Sequence, residues 1–462
     1  LDKYKKLAAN TVIVGIGSFS SKLLVFLMVP ITTRLLSTSE FGSADLAVQA
    51  ANVLYPIVSF GIANAIMRFG LDKNEDKTNV FSTGIFASIL GFALMLLFTP
   101  LFYHVGSISK NVVSIFLYVF FATIHAICSS FVRACEKIRL YAADGILGTV
   151  LTILFTLLFL KLWHMGVAGY LLATTAANAV SIIFLTIRAE LYKFLRFRGF
   201  NRQTSYRMLK YSVPLIPSMI FWWITSVSDR FLVTHFLGSA ANGLYALSNK
   251  APQVITIISG IFSDAWLISA VSQEEDRWRD HFFSKVFRSY QAIAFITASG
   301  LIMCAQLVTR LLAAPAFFES WRYMPVLIVA TVFSCFVTFL QSIYFVEKKS
   351  VSALVTISAG AAVNILLNIF LIPVIGINGA ALSTLVSYVL VFALRAVNSG
   401  KYIKLKLNIP MMSLNILILA AQAVILLMQF KWWPAYEAAL FLAVGALNIK
   451  PLLMSAKRLT SR

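Results

Sequence analysis

About fourteen stretches of roughly twenty or more mainly apolar residues follow one another along this chain, joined by connections too short to hold a soluble domain. They run at approximately 8–36, 43–68, 80–104, 111–133, 140–161, 166–187, 211–237, 241–271, 286–311, 323–346, 351–373, 377–396, 409–430 and 434–456. Each can cross a hydrocarbon layer of roughly 30 Å as a helix, so the chain is read as an all-α polytopic membrane protein. Composition agrees: 59% of the 462 residues are hydrophobic and 12% charged, with a mean hydropathy of +0.84, whereas soluble domains are about 25% charged. Asn448, Lys450 and Pro451 interrupt the last stretch. The first is too long for the apolar region of a cleavable leader and is read as a true span.

The net charge of +21 would raise the question of nucleic acid, but no basic run alternates with aromatic residues outside an apolar segment. The cations instead sort by connection. Assigning connections alternately to two sides puts 29 Lys and Arg on one side and 6 on the other. The positive-inside rule then places both termini in the cytoplasm, with an even number of crossings. Cys128, Cys135, Cys304 and Cys335 lie in or beside apolar runs without ligand spacing and are read as small buried hydrophobes.

The connection from Arg188 to Lys210 carries seven cations and one carboxylate at mid-chain. It is either a bare orientation signal or a basic amphipathic stretch resting on the inner leaflet. An internal repeat supports a seam there. RLLSTSEFGSA at 34–44 and RFLVTHFLGSA at 230–240 share six of eleven residues at an offset of 196, and Pro56 meets Pro252 at the same offset. GVAGYLLAT at 166–174 and GINGAALST at 376–384 share four of nine at an offset of 210. The expected organisation is a six-helix lobe over 1–190, a basic linker over 191–210, a second six-helix lobe over 211–400 inserted in the same orientation, and two further helices over 401–462.

Nothing in the sequence builds a catalytic centre. The five histidines are scattered, and there is no HExxH, GxSxG or phosphate-cradling loop. The connections on the cation-poor side are short apart from the region of Arg310 to Arg322, which argues against a membrane-embedded glycosyltransferase or polymerase. The informative residues are charges within apolar runs, each costing several kcal/mol unless it faces water or a partner. Lys22 falls near the middle of the first span. Asp229 and Arg230 lie deep in the seventh, Lys250 in the outer half of the eighth, and Asp264 nearer its inner end. Adjacent helical residues do not face each other, so Asp229 and Arg230 need separate partners, with Lys250 a candidate for Asp229. Asp144, near the inner end of the fifth span, is read as structural. With Arg34 and Arg68 at opposite ends of the first helix pair, a cavity holding these groups is net cationic and suits an anion. Pro30, Pro56, Pro214, Pro217 and Pro252 fall in spans 1, 2, 7 and 8, the same spans that hold the charges, and mark them as kinked, cavity-lining elements. Trp222 and Trp223 could stack on sugar rings or pack against lipid.

VPITTRLLSTSEFG at the end of the first span, YSVPLIPSMIFWWITSVSDRFLVTHFLG opening the second half, NGLYALSNKAPQ after it, and GINGAALST before the twelfth span resemble the Wzx-like polysaccharide biosynthesis and O-antigen flippases. These belong to the multidrug, oligosaccharidyl-lipid and polysaccharide exporter superfamily. The resemblance spans the whole chain. It implies two six-helix lobes plus two C-terminal helices, with a cationic cavity between spans 1, 2, 7 and 8. It also implies translocation of undecaprenyl-pyrophosphate-linked oligosaccharide to the outer leaflet of a bacterial inner membrane by alternating access, in cell-envelope or lipopolysaccharide biosynthesis. The expected partners are that lipid-linked substrate, membrane lipid and other polysaccharide-assembly membrane proteins; no cofactor is expected beyond a coupling ion, H+ or Na+. Related drug exporters carry a carboxylate in the first span where this chain has Lys22. The alternative of a cation-coupled exporter would use Asp229 or Asp264 instead.

Overall fold

The computed structural model describes residues 26, 28–72, 74–103, 109–196, 201–260, 262, 276–347 and 349–460. Among them every regular element is helical, and the chain divides into two units, Leu1–Trp223 and Ile224–Arg462.

In the first unit a helical stretch ends at residue 35. It is followed by α1 (Thr38–Val58), α2 (Ile62–Gly70), α3 (Lys77–Leu97), the short α4 (Thr99–Tyr103), α5 (Val112–Ala134), α6 (Ile138–Thr156), α7 (Gly166–Ala189) and α8 (Arg202–Ser212). The starts are set by side chains. Ser37 and Glu40 form a reciprocal capping box at α1, Asp76 accepts from the Thr78 amide at α3, and Asn201 accepts from the Gln203 and Thr204 amides at α8. The core is centred on Ile66, Phe81, Ile127, Phe131, Leu185 and Met208.

The second unit contains α9 (Ile216–Leu237), whose first residues belong to the first unit, α10 (Ser239–Ser248), α11 (Asp276–Met303), α12 (Ala305–Leu312), α13 (Met324–Val346), α14 (Ser350–Ile375), α15 (Ile377–Ser399), α16 (Ile409–Met428) and α17 (Trp433–Thr460). Its core is aromatic, with Phe283, Phe287, Tyr290, Phe336, Phe339 and Phe392 packed mainly edge-on or tilted. Outward-facing positions are strongly apolar: Leu97 is 74% exposed, Val374 78% and Leu442 69%. In water such surfaces would aggregate; in lipid they cost nothing.

Nine described helices are long and apolar enough to cross a membrane, or ten with α1 and α2 as one broken span. Some bounds follow the sequence reading closely, as at Gly166–Ala189 against 166–187 and Val351–Ile375 against 351–373, whereas Asp280–Met303 and Pro315–Tyr344 begin six and eight residues before the expected 286 and 323. Residues 434–456 lie in one continuous helix, because the interrupting Asn448 donates inward to the Asn415 amide oxygen at 2.6 Å and to the Val444 carbonyl. Such buried amides join helices where no water competes.

The basic linker is integral to the first unit. Ser82 on α3 donates to the Phe194 carbonyl and accepts from the Arg196 amide, both at 3.0 Å. Thr83 meets the Ser205 hydroxyl at 2.9 Å. Phe194 packs edge-on to Phe131, and Leu191 and Met208 lie in the core. At the exposed end of α7, Lys193 pairs with Glu190 at 2.5 Å, which holds that carboxyl below its ordinary range.

The second repeat motif builds the same local structure twice. Gly166 and Gly376 each open a helix with a left-handed backbone, φ +54° and +63°. Three residues later Gly169 and Gly379 sit where a Cβ would meet Met165 Cβ at 2.8 Å or the Leu371 carbonyl at 2.5 Å. Only glycine fits both demands without strain.

Candidate functional site

The second span of the sequence reading is a broken helix. Pro56 lacks the N–H that would bond one turn back, Phe60 and Gly61 take left-handed backbones (φ 50° and 62°), and Ser59 Oγ accepts from the Gly61 amide at 3.2 Å. The axis turns by 54° between α1 and α2. Two backbone contacts fix the break. Gly91 of α3 lies against the Val58 carbonyl, and a Cβ on Gly61 would lie 3.1 Å from the Ser212 carbonyl oxygen.

That bend aims the last turn of α2 at the segment leading into α9. The result is a cleft of about 520 Å³ lined by Asn64, Met67, Arg68, Leu71, Tyr211, Leu215 and Met219. Arg68 is exposed within it and sits at a helix C-terminus, where the backbone dipole favours a cation. Tyr211 packs edge-on to Phe69, its ring centre 6.1 Å away. One guanidinium, one amide and a phenol on otherwise Met and Leu walls make the cleft amphipathic.

Lys22 and Asp264 lie outside the described residues. Arg34 is exposed near the end of the first helical stretch, and Pro30 lies inside that stretch, where the Thr32 and Thr33 hydroxyls bond the carbonyls of Met28 and Val29. Pro214 lies within a 3-10 turn, Val213–Leu215, and Pro217 in the first turn of α9, in an otherwise unbroken helical run from α8 into α9. Pro252 occupies a turn rather than a helix interior, and Lys250 is half-buried just before it.

Asp229 and Arg230 are both buried, at 5% and 7% exposure. Asp229 accepts from the Tyr245 hydroxyl on α10, the Thr384 hydroxyl on α15 at 3.2 Å and the Arg230 amide at 2.9 Å. Where the sequence nominated Lys250, these hydroxyls and a backbone amide hold the carboxylate. Next to it Ser228 donates to the Asn364 amide oxygen at 3.1 Å, which also accepts from Asn368 at 3.0 Å on the same helix, α14. One polar node thus ties α9, α10, α14 and α15 together.

Other buried groups were not legible as pairs. His125 of α5 and Asp144 of α6 meet at 2.9 Å, with Asp144 almost wholly enclosed. The signal was available in the hairpin: the two lie nine residues before and six after the turn that joins their helices, similar depths at 1.5 Å per residue. Arg395, read as part of an inner connection, is instead 3% exposed within α15. It donates to the Val337 carbonyl at 2.8 Å, the Thr356 hydroxyl at 3.1 Å and the Ala353 carbonyl at 3.4 Å. Glu437 is fully buried in α17 and accepts from Gln422 of α16 at 2.9 Å; Gln422 in turn accepts from Ser299 of α11 at 2.7 Å. Among the described residues no three His, Cys, Asp or Glu side chains gather as a metal site.

A helical multi-pass membrane fold with buried polar nodes defines the class, and comparison with known proteins sharpens it. Residues 7–267, more than half of the chain, match the model of the polysaccharide biosynthesis protein family. The chain belongs to that family. An uncharacterised membrane protein of Methanocaldococcus jannaschii is 21% identical over 407 residues, 84% of this chain and 96% of the relative. An Lsg-locus protein of Haemophilus influenzae is 25% identical over 266 residues, 54% of this chain and 63% of the relative. Among solved structures, the lipid II flippase MurJ in an inward closed conformation superposes with a TM-score of 0.73 at 17% identity, covering 97% of this chain and 100% of that one. A variant of the Vibrio cholerae MATE transporter VcmN gives 0.60 at 16% identity, over 86% and 96%. These likenesses establish a shared fold.

Proposed function

We propose that the chain is a flippase that carries an undecaprenyl-pyrophosphate-linked oligosaccharide from the cytoplasmic to the outer leaflet of a bacterial inner membrane, by alternating access through a cationic cavity. The observation that carries this reading is Arg68: an exposed guanidinium beside Tyr211 and Asn64 in a cleft otherwise walled by Met67, Leu71, Leu215 and Met219. A phosphate joined to a hydrocarbon chain has the same two-sided chemistry, and a guanidinium can bind phosphate with two parallel hydrogen bonds. Membership of the polysaccharide biosynthesis family and the fold shared with MurJ support the same direction. In this reading Lys22, Arg34, Arg230 and Lys250 supply further positive charge along the path, and Asp229 and Asp264 balance it.

The test is translocation of a fluorescent lipid-linked oligosaccharide in proteoliposomes, read by its protection from a membrane-impermeant quencher. Arg68→Ala should cut the initial rate by about tenfold or more, the value of a lost charge-assisted hydrogen bond, with membrane insertion unchanged. Lys22→Ala should act in the same sense. Unchanged rates in both variants would remove the site assignment. The exporter reading predicts instead that the chain confers drug resistance on cells lacking their own pumps, with Asp229 or Asp264 as the coupling carboxylate. In the structure the Asp229 oxygens are already engaged by Tyr245, Thr384 and the Arg230 amide.

A further inference from the structure

We propose that the outward face of α8 is a binding site for acidic phospholipid head groups of the leaflet at the cation-rich ends of the first unit's helices. The helix has two faces. Thr204, Ser205, Met208 and Ser212 are buried, while Arg202, Tyr206 and Lys210 form one exposed row at four-residue spacing and Gln203, Arg207 and Tyr211 form another. The helix cannot roll to hide that face. Ser205 is bonded to Thr83, Met208 lies in the core, and Arg207 pairs with Glu75 at 2.8 Å.

Charge identifies the occupant. The single carboxylate of the Arg188–Lys210 connection, Glu190, is taken by Lys193, and Glu75 is taken by Arg207. Among the described residues no carboxylate lies within ion-pair reach of Arg202 or Lys210. The ammonium of Lys210 stands 5.8 Å from the centre of the Tyr206 ring, and Tyr206 is 63% exposed. Position identifies the occupant as lipid rather than a soluble anion. The run continues directly into Val213, an exposed apolar residue, with exposed Leu71 in the adjoining cleft. Lys210 and Tyr206 stand roughly 5 and 10 Å from Val213 along the helix, comparable to a head-group layer of about 5–7 Å on each side of the hydrocarbon. Tyrosine and lysine at that depth match the interfacial belt of membrane proteins.

The experiment uses the full chain in nanodiscs of mixed phosphatidylcholine and phosphatidylglycerol, without oligosaccharide, so that its outcome is independent of the flippase reading. Retention of phosphatidylglycerol is read by native mass spectrometry. The double substitution Arg202→Gln with Lys210→Gln should weaken retention about 30-fold, at about fivefold per cation near an acidic surface, with an unchanged thermal midpoint because both side chains are exposed. Lys431→Gln, in the connection between α16 and α17, should leave it unaltered. Equal retention in the double variant, an equal loss in Lys431→Gln, or displacement of the lipid by millimolar inorganic phosphate would overturn the assignment.

Discussion

Gly91→Ala is expected to destabilise the protein by about 3 kcal/mol or more, at the upper end of what overpacking costs. An added Cβ would stand 2.9 Å from the Val58 carbonyl carbon and closer still to its oxygen. Both partners are backbone, so nothing flexible can yield. Relief requires α3 to move away from the break between α1 and α2, which would disturb the bend that aims Arg68 into its cleft. A drop in the thermal midpoint of the purified protein measures the effect. Gly445→Ala in α17, where among the described residues no atom beyond its own stretch of helix lies within 4 Å of the new methyl, is the matched control. It should be neutral or stabilising by up to about 1 kcal/mol through helix propensity. Equal midpoints for the two variants would refute the packing account.

Asp229→Ala is expected to cost about 3–5 kcal/mol, the range for removing one partner of a buried charged cluster. It leaves the Tyr245 hydroxyl without the carboxylate it donates to, removes one of the two acceptors of the Thr384 hydroxyl, which also bonds the Ala380 carbonyl at 3.0 Å, and takes a negative charge from beside Arg230. Asp229→Asn keeps an acceptor oxygen and the volume, so it should lose about half as much or less. Thr384→Val removes one hydrogen bond and should cost about 1 kcal/mol. That ordering, read from thermal or denaturant midpoints in detergent, distinguishes a structural node from a side chain free to bind something else. An Asp229→Ala protein as stable as the parent would show that the carboxylate contributes nothing to holding α9, α10 and α15.

The all-helical multi-pass fold and the positions of most of the nine apolar helices were legible because they follow from composition over windows of twenty residues, where individual errors average out. The glycine repeat was legible for a different reason: Gly166, Gly169, Gly376 and Gly379 have no substitutes at their backbone angles or contacts. Partners were not legible. The sequence singled out Asp229 as a charge within an apolar run but could not rank Lys250 against Tyr245 and Thr384, since that choice depends on helix rotation and on a residue 155 positions away. Arg395 was taken for a loop cation because it lies next to the cation cluster of an inner connection. Only the packing of α13 and α14 shows acceptors that satisfy it within the helix layer. The cleft was legible in part, through Arg68 and Pro56. Its other wall, from Tyr211 to Met219, depends on where the clamped linker delivers the chain.

The buried guanidinium of Arg395 has a mechanical consequence. Its bonds reach two neighbouring helices at once, so sliding of either past α15 must break at least one of them. It acts as a rivet through α13, α14 and α15, and a conformational cycle in the second unit would carry that triplet as one rigid block, with bending confined to the helices outside it.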